Sequence, residues 1–199
     1  MSASAALIDH LRLRSSRLLG NPKFRRWAAS FRLTRPIARA RARALFDLCA
    51  GFVYSQVLLA CVRLDLFEHL REGALTVDVL SRRIALPEDA TLRLLDAAVS
   101  LDLVSRSRSG AYALGPLGAA LVDNEAVLSM IEHHALLYDD LRDPVQLLRN
   151  GGGSRLAEFW PYATTAEPAA LERARVARYS ALMTASQPLV ADQVLDAYQ

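Results

Sequence analysis

The sequence predicts a mainly α protein: a winged helix-turn-helix domain with a small β-hairpin wing, followed by a further helical region. Three observations carry this. The stretch from Ala44 to Leu70 is the most apolar part of the chain and has the composition of a buried helix. Two shorter segments after it repeat apolar residues at helical spacing. Between Leu103 and Leu114, two short apolar runs flank a polar turn ending in Gly110, the pattern of a hairpin.

At 199 residues, 52% hydrophobic and 23% charged, the chain is long enough for one ordinary domain with appendages, and its composition excludes a disordered protein. We divide it into a basic amphipathic arm (1–43), the winged-helix domain (44–118) and a helical region (119–199). The charge is divided unevenly. The arm holds eleven basic residues and one acid, Asp9, for a net charge of +10, whereas residues 44–199 carry a net charge of −7.

The arm reads as two amphipathic helical pieces broken at Gly20-Asn21-Pro22. In the second piece Phe24, Trp27 and Phe31 recur at helical spacing among Lys23, Arg25, Arg26, Arg32 and Arg35. Aromatic anchors among cations suit an anionic membrane surface. They equally suit an extension that packs its aromatics on the body of a dimer. Nucleic-acid binding needs a basic arm but takes much more than one. The partner expected for residues 1–43 is a membrane surface, contacted peripherally, and no nucleic acid is expected.

Within the apolar stretch, Leu48 to Val62 is a run of fifteen uncharged residues, short of the roughly 20 that span a bilayer. Only Ser55 and Gln56 interrupt its apolar circumference, so the helix must be buried all round. A chain of this size rarely does that alone, which points to a second copy or a further domain as the cover. Cys49 and Cys61 lie twelve residues apart on this helix, about 18 Å along its axis, too far to bridge. With no signal peptide in MSASAALIDHLRLR, a cytoplasmic location is expected, peripheral at the membrane through the arm.

Arg71-Glu72-Gly73 reads as a helix stop, after which Thr76 can cap a helix carrying Val77, Leu80 and Ile84 on its inner face. Pro87 opens a second helix with Glu88 and Asp89 in its first turn. Leu92, Leu94, Leu95, Ala98, Val99 and Leu101 form its core face. Strands are expected around Leu103–Ser105 and Ala111–Leu114, with a turn over Arg106–Gly110. This order invites a DNA-binding regulator, the alternative function. The outward residues of the second helix would be Glu88, Asp89, Thr91, Arg93, Asp96, Ser100 and Asp102. Four acids against one arginine oppose approach to a polyanion.

From Pro116 the chain is helical again, with Asn124 as a cap and Met130, His134, Leu137 and Leu141 near one face. Adjacent His133 and His134 point about 100° apart on a helix and do not make a metal site. Gly151-Gly152-Gly153-Ser154 follows a helical run instead of a strand, and reads as a linker or cap. Phe159-Trp160-Pro161-Tyr162 is an aromatic turn, and Pro168 to Gln199 forms a last helical region with a break or kink at Pro188.

Taken in order, these segments resemble the small-molecule O-methyltransferases that use S-adenosylmethionine and begin with a winged-helix dimerisation domain. The resemblance rests on GFVYSQVLLACVRLDLFEHL, on T-x-x-x-L-S-x-x-x-x-L-P at Thr76–Pro87, on LLDAAVSLDLV at Leu94–Val104 and on YALGPLG at Tyr112–Gly118. Tyr179-Ser-Ala-Leu-Met183 is similar to the family's aromatic-x-x-x-Met helix. The arginine-rich leader, FDLCAGFVYSQVLLAC and FWPYA most resemble the bacterial carotenoid O-methyltransferases that act on hydroxyneurosporene or demethylspheroidene, with the bacteriochlorophyllide methyltransferase as second choice.

The resemblance implies a homodimer whose last helices close over a small apolar substrate, here a carotenoid alcohol. It places Tyr179 and Met183 at the substrate and Gln187, where the family commonly has serine, at the cofactor. Trp160, Tyr138 and His134 are substrate-pocket candidates by type and location, with Phe159 and Tyr162 beside them. Family members continue into a Rossmann-like domain with an acidic glycine-rich loop and a histidine general base. Residues 44–199 show neither. The expectation is therefore a dimerisation and substrate-lid region without catalytic or metal residues, inactive alone, with S-adenosylmethionine belonging to the full-length family.

Overall fold

The break at Gly20-Asn21-Pro22 is where helix α1 (Pro22–Ser30) begins. Asn21 caps it, its side-chain oxygen accepting from the Lys23 amide at 2.9 Å, and Pro22 takes the first turn, where no amide is needed. The structure, a computed structural model, describes residues 17–150 and 173–197. The first arm piece, up to residue 16, therefore lies outside the described residues, as do the Gly151–Ser154 linker and the Phe159–Tyr162 turn.

The chain divides into two compact units, Met1–Val53 and Tyr54–Gln199. In the first, α1 ends at Phe31, whose amide donates to Trp27. A short turn follows, tied by the Thr34 hydroxyl, which donates to the Ala28 carbonyl at 2.8 Å, and by the Arg35 amide, which donates to Phe31 at 2.8 Å. Helix α2 then runs from Arg35 to Arg63. It starts well before the expected Ala44. The basic run Arg39-Ala-Arg-Ala-Arg43 consists of strong helix formers, and Pro36 sits in the first turn, where it is tolerated. The change in charge after Arg43 thus does not interrupt the helix. At 29 residues α2 is the one described helix long and apolar enough, by length and composition, to cross a membrane. The uncharged run alone understated that length.

In the second unit, the end of α2 joins the core through Leu59 and Cys61, the latter with no exposed surface. The expected continuous helix to Leu70 is broken instead at Asp65, which adopts φ 50°, a left-handed conformation that aspartate tolerates better than most residues. Helix α3 (Leu66–His69) follows, burying Leu66 and Phe67. Helix α4 (Val77–Arg83) buries Leu80, and Ile84 closes it. Thr76 stands at its N-cap position without making the cap bond; its hydroxyl donates to the Asp78 carboxylate instead. Helix α5 (Glu88–Ser100) buries Thr91, Leu95 and Ala98. Thr91, expected to face outward, points into the core because its hydroxyl is satisfied by the Pro87 carbonyl at 3.0 Å.

Strands β1 (Val104–Arg106) and β2 (Tyr112–Leu114) pair antiparallel, with Val104 opposite Leu114 and Arg106 opposite Tyr112. Leu75 extends the pairing: its amide and carbonyl both bond to Tyr112, at 2.8 and 2.7 Å. Gly110, at φ 86°, completes the hairpin turn. The short helix α6 (Pro116–Ala119) then folds back over the junction of α5 and β1. Helices α7 (Glu125–Asp140), α8 (Pro144–Asn150) and α9 (Arg173–Asp196) complete the described elements, which are mainly helical with one small antiparallel sheet. Asn124 caps α7 by accepting from Val127, and α9 packs against α7.

Candidate functional site

Two surfaces have functional character. The first is the N-terminal half of α2. Leu45, Phe46, Leu48, Phe52 and Val53 are exposed, Leu48 by 82% and Phe52 by 70%. Leu45, Leu48 and Phe52 are spaced by three and four residues and so lie along one face, joined by the exposed Cys49. Exposed apolar side chains in a contiguous stripe mark an interaction surface. In contrast, the Cys61 thiol lies in the core, where burial pushes its pKa up to about 12.

The second surface is built by α7 and α9. His134 and Tyr138 stand one turn apart on α7, both half-buried, and Tyr138 also packs against the core. Tyr179 and Met183 stand one turn apart on α9, half-buried as well. Four of the substrate candidates therefore lie on two helices that pack together, while Trp160 lies outside the described residues. The His133 ring centroid is 6.5 Å from that of His134. Partial burial and the neighbouring imidazole lower the His133 pKa. Among the described residues no cluster of three or more His, Cys, Asp or Glu could hold a metal ion.

Gln187 is exposed on α9, whereas Ser186 beside it is buried, donating to the Leu182 carbonyl at 2.8 Å. One exposed amide and one hydroxyl bonded within its own helix do not make a donor set for a sulfonium, an adenine or a cofactor carboxylate. Among the described residues, these two side chains of α9 therefore do not by themselves fit S-adenosylmethionine. Ser186 went unnoticed in the sequence because nothing local distinguishes it from the other small polar residues of that helix. Two long-range ion pairs went equally unseen: Arg63 to Glu132 at 3.1 Å, and Arg71 to Asp123.

On α5, Glu88, Asp89 and Asp96 are exposed, and Arg93 is engaged by Asp89 at 2.9 Å. Arg106 on the hairpin reaches Asp96 at 4.0 Å and stands 5.5 Å from the centroid of the Tyr112 ring. The cations nearest a would-be reading helix are thus partly neutralised by its own acids.

Residues 46–124 match the model of the O-methyltransferase dimerisation domain. Over a longer span, the chain is 39% identical to demethylspheroidene O-methyltransferase of Cereibacter sphaeroides across 179 residues, covering 90% of this chain and 47% of that protein. It is 42% identical to the protein of the same name from Rhodobacter capsulatus across 160 residues, covering 80% and 40%. The solved apo structure of the S-adenosylmethionine-dependent methyltransferase SibL is similar at a TM-score of 0.57 and 27% identity, over 73% of this chain and 44% of that one. The chain spans less than half the length of these curated relatives.

Proposed function

We propose that this chain is the dimerisation and substrate-lid part of an S-adenosylmethionine-dependent O-methyltransferase acting on a carotenoid hydroxyl. One observation carries the reading: the apolar, exposed stripe of α2 extends into the segment that matches the dimerisation domain, residues 46–124. The succession α3, α4, α5 and hairpin is then a winged helix used for assembly, with a second copy of the chain covering the stripe. The similarity to demethylspheroidene O-methyltransferases supports a carotenoid alcohol as substrate. Tyr138, His134, Tyr179 and Met183 would line its apolar site, where adaptable methionine and aromatic side chains suit a long polyene. When bound in the full enzyme, S-adenosylmethionine supplies the methyl group. This half's contribution is to assemble the enzyme and shield the substrate from water. The proposed location is cytoplasmic, with residues 1–43 in peripheral contact with a membrane.

The test is a chimera in which this chain replaces the corresponding segment of the Cereibacter sphaeroides protein. Methyl transfer to demethylspheroidene is the expected result. A folded, dimeric chimera that transfers no methyl group would overturn the assignment.

A further inference from the structure

We propose that α1 and the corner after it are a seat for an anionic lipid bilayer, with α1 lying flat in the headgroup layer and its aromatic ladder facing the acyl chains. This rests on the reading that residues 1–43 contact a membrane, and names the residues and lipid chemistry of that contact. Phe24, Trp27 and Phe31 form a ladder, with centroids 5.6 Å apart for the first pair and 5.2 Å for the second, which stacks at 12°. Trp27 is 51% exposed, and Phe31 is exposed as well. At 100° per residue, Phe24, Trp27, Ala28 and Phe31 share one side of the helix, and Lys23, Arg25 and Arg26 occupy the rest.

Aromatics among cations would also stack on the bases of single-stranded nucleic acid. The exposed aliphatic residues that precede and follow the ladder in the chain decide between the two. Leu18, Leu19, Leu33 and Ile37 are exposed, Leu33 by 77%. Branched aliphatic side chains gain nothing from base stacking, but gain by leaving water for acyl chains. The charge completes the match: eleven basic residues and one acid in residues 1–43 complement anionic headgroups. The Thr34 hydroxyl, bonded to Ala28, holds the corner so that Leu33 and Ile37 are presented by a defined turn.

The experiment is co-sedimentation of the full chain with phosphatidylcholine vesicles, with and without phosphatidylglycerol. The chain should partition about tenfold more strongly onto the anionic vesicles, and lose that preference as ionic strength rises from about 0.1 M to about 1 M. Replacing Phe24, Trp27 and Phe31 together by serine should cut binding about tenfold or more, whereas Trp27→Phe should stay within about twofold. None of the three residues belongs to the buried core, so the thermal midpoint should not move. Unchanged binding of the triple variant would overturn the ladder while leaving the arm's membrane contact intact. Equal binding after deletion of residues 1–43 would overturn the membrane contact itself. Equal binding to neutral vesicles would overturn the anionic specificity. A single-stranded oligonucleotide that binds more tightly than vesicles, and is lost on the same serine substitutions, would assign the ladder to nucleic acid instead.

Discussion

No methyl group fits between Gly118 and Leu103. A Cβ on Gly118 would collide with the Leu103 carbonyl oxygen, and would lie 3.1 Å from its carbonyl carbon and 3.2 Å from the Phe67 ring. Gly115 is in the same position against Asp102, whose carbonyl carbon would be 2.8 Å from an added Cβ. The two glycines let α6 close on the α5–β1 junction, where the Gly115 amide donates to Leu103 at 3.0 Å. Because backbone cannot rotate away as a side chain can, Gly118→Ala should cost about 3 kcal/mol. Urea unfolding followed by circular dichroism measures it.

Leu48 is expected to set the oligomeric state. Placing a charge at the centre of the exposed α2 stripe costs a monomer nothing, since Leu48 is 82% exposed in the single chain. In a dimer it removes a buried leucine and buries a cation, so Leu48→Arg should weaken association roughly a hundredfold. Light scattering across a dilution series should move from twice the 21.9 kDa chain mass to the monomer. A monomeric wild-type chain at micromolar concentration would remove the dimer altogether.

Ala85, in the turn between α4 and α5, has φ 54°, a left-handed conformation that penalises a Cβ. Ala85→Gly relieves this at an exposed position, and should raise stability by about 1 kcal/mol despite the extra freedom of glycine in the unfolded chain. A higher urea midpoint with unchanged slope is the expected result.

Stability should fall on mild acidification, partly through His133. Its folded-state pKa is lowered, first by desolvation and then by His134. The unfolded chain therefore takes up the proton more readily than the folded one. The contribution is fully present above the unfolded imidazole pKa of about 6.5, and is lost as pH falls through that value towards the lower folded one. Urea midpoints measured from about pH 8 to about pH 5 should show a slope that flattens in His133→Gln.

Punctuation was the most legible part of the fold. Asn21, Pro87, Gly110 and Asn124 each carry a local mechanism, and each stands at the element boundary it implied. Pro188, expected to break or kink the last helix, does not end α9, which runs from Arg173 to Asp196. The inward stripe Leu80 and Ile84 followed from spacing alone. Features decided by distant or competing groups were not legible. The start of α2 at Arg35 was hidden because a change in charge looks like a boundary while leaving the helix intact. Thr91 reads as a surface residue until its hydroxyl is seen to bond one turn back, after which its methyl packs like an apolar residue. The Arg63–Glu132 pair joins residues 69 positions apart and has no local signature. At the candidate site, Tyr179, Met183 and Gln187 are proposed by resemblance alone, because helical spacing does not separate them from ordinary packing residues.

The two cysteines of α2 give the protein a pair of built-in chemical clocks. Cys49 lies on the exposed stripe and Cys61 lies in the core with its thiol held protonated by burial. A chromogenic thiol reagent at neutral pH should therefore count one fast sulfur per free chain and none when the stripe is covered. The second sulfur should react only at the rate at which the Tyr54–Gln199 unit opens. Assembly and unfolding, which scattering and calorimetry mix together, become two separate colours of the same titration.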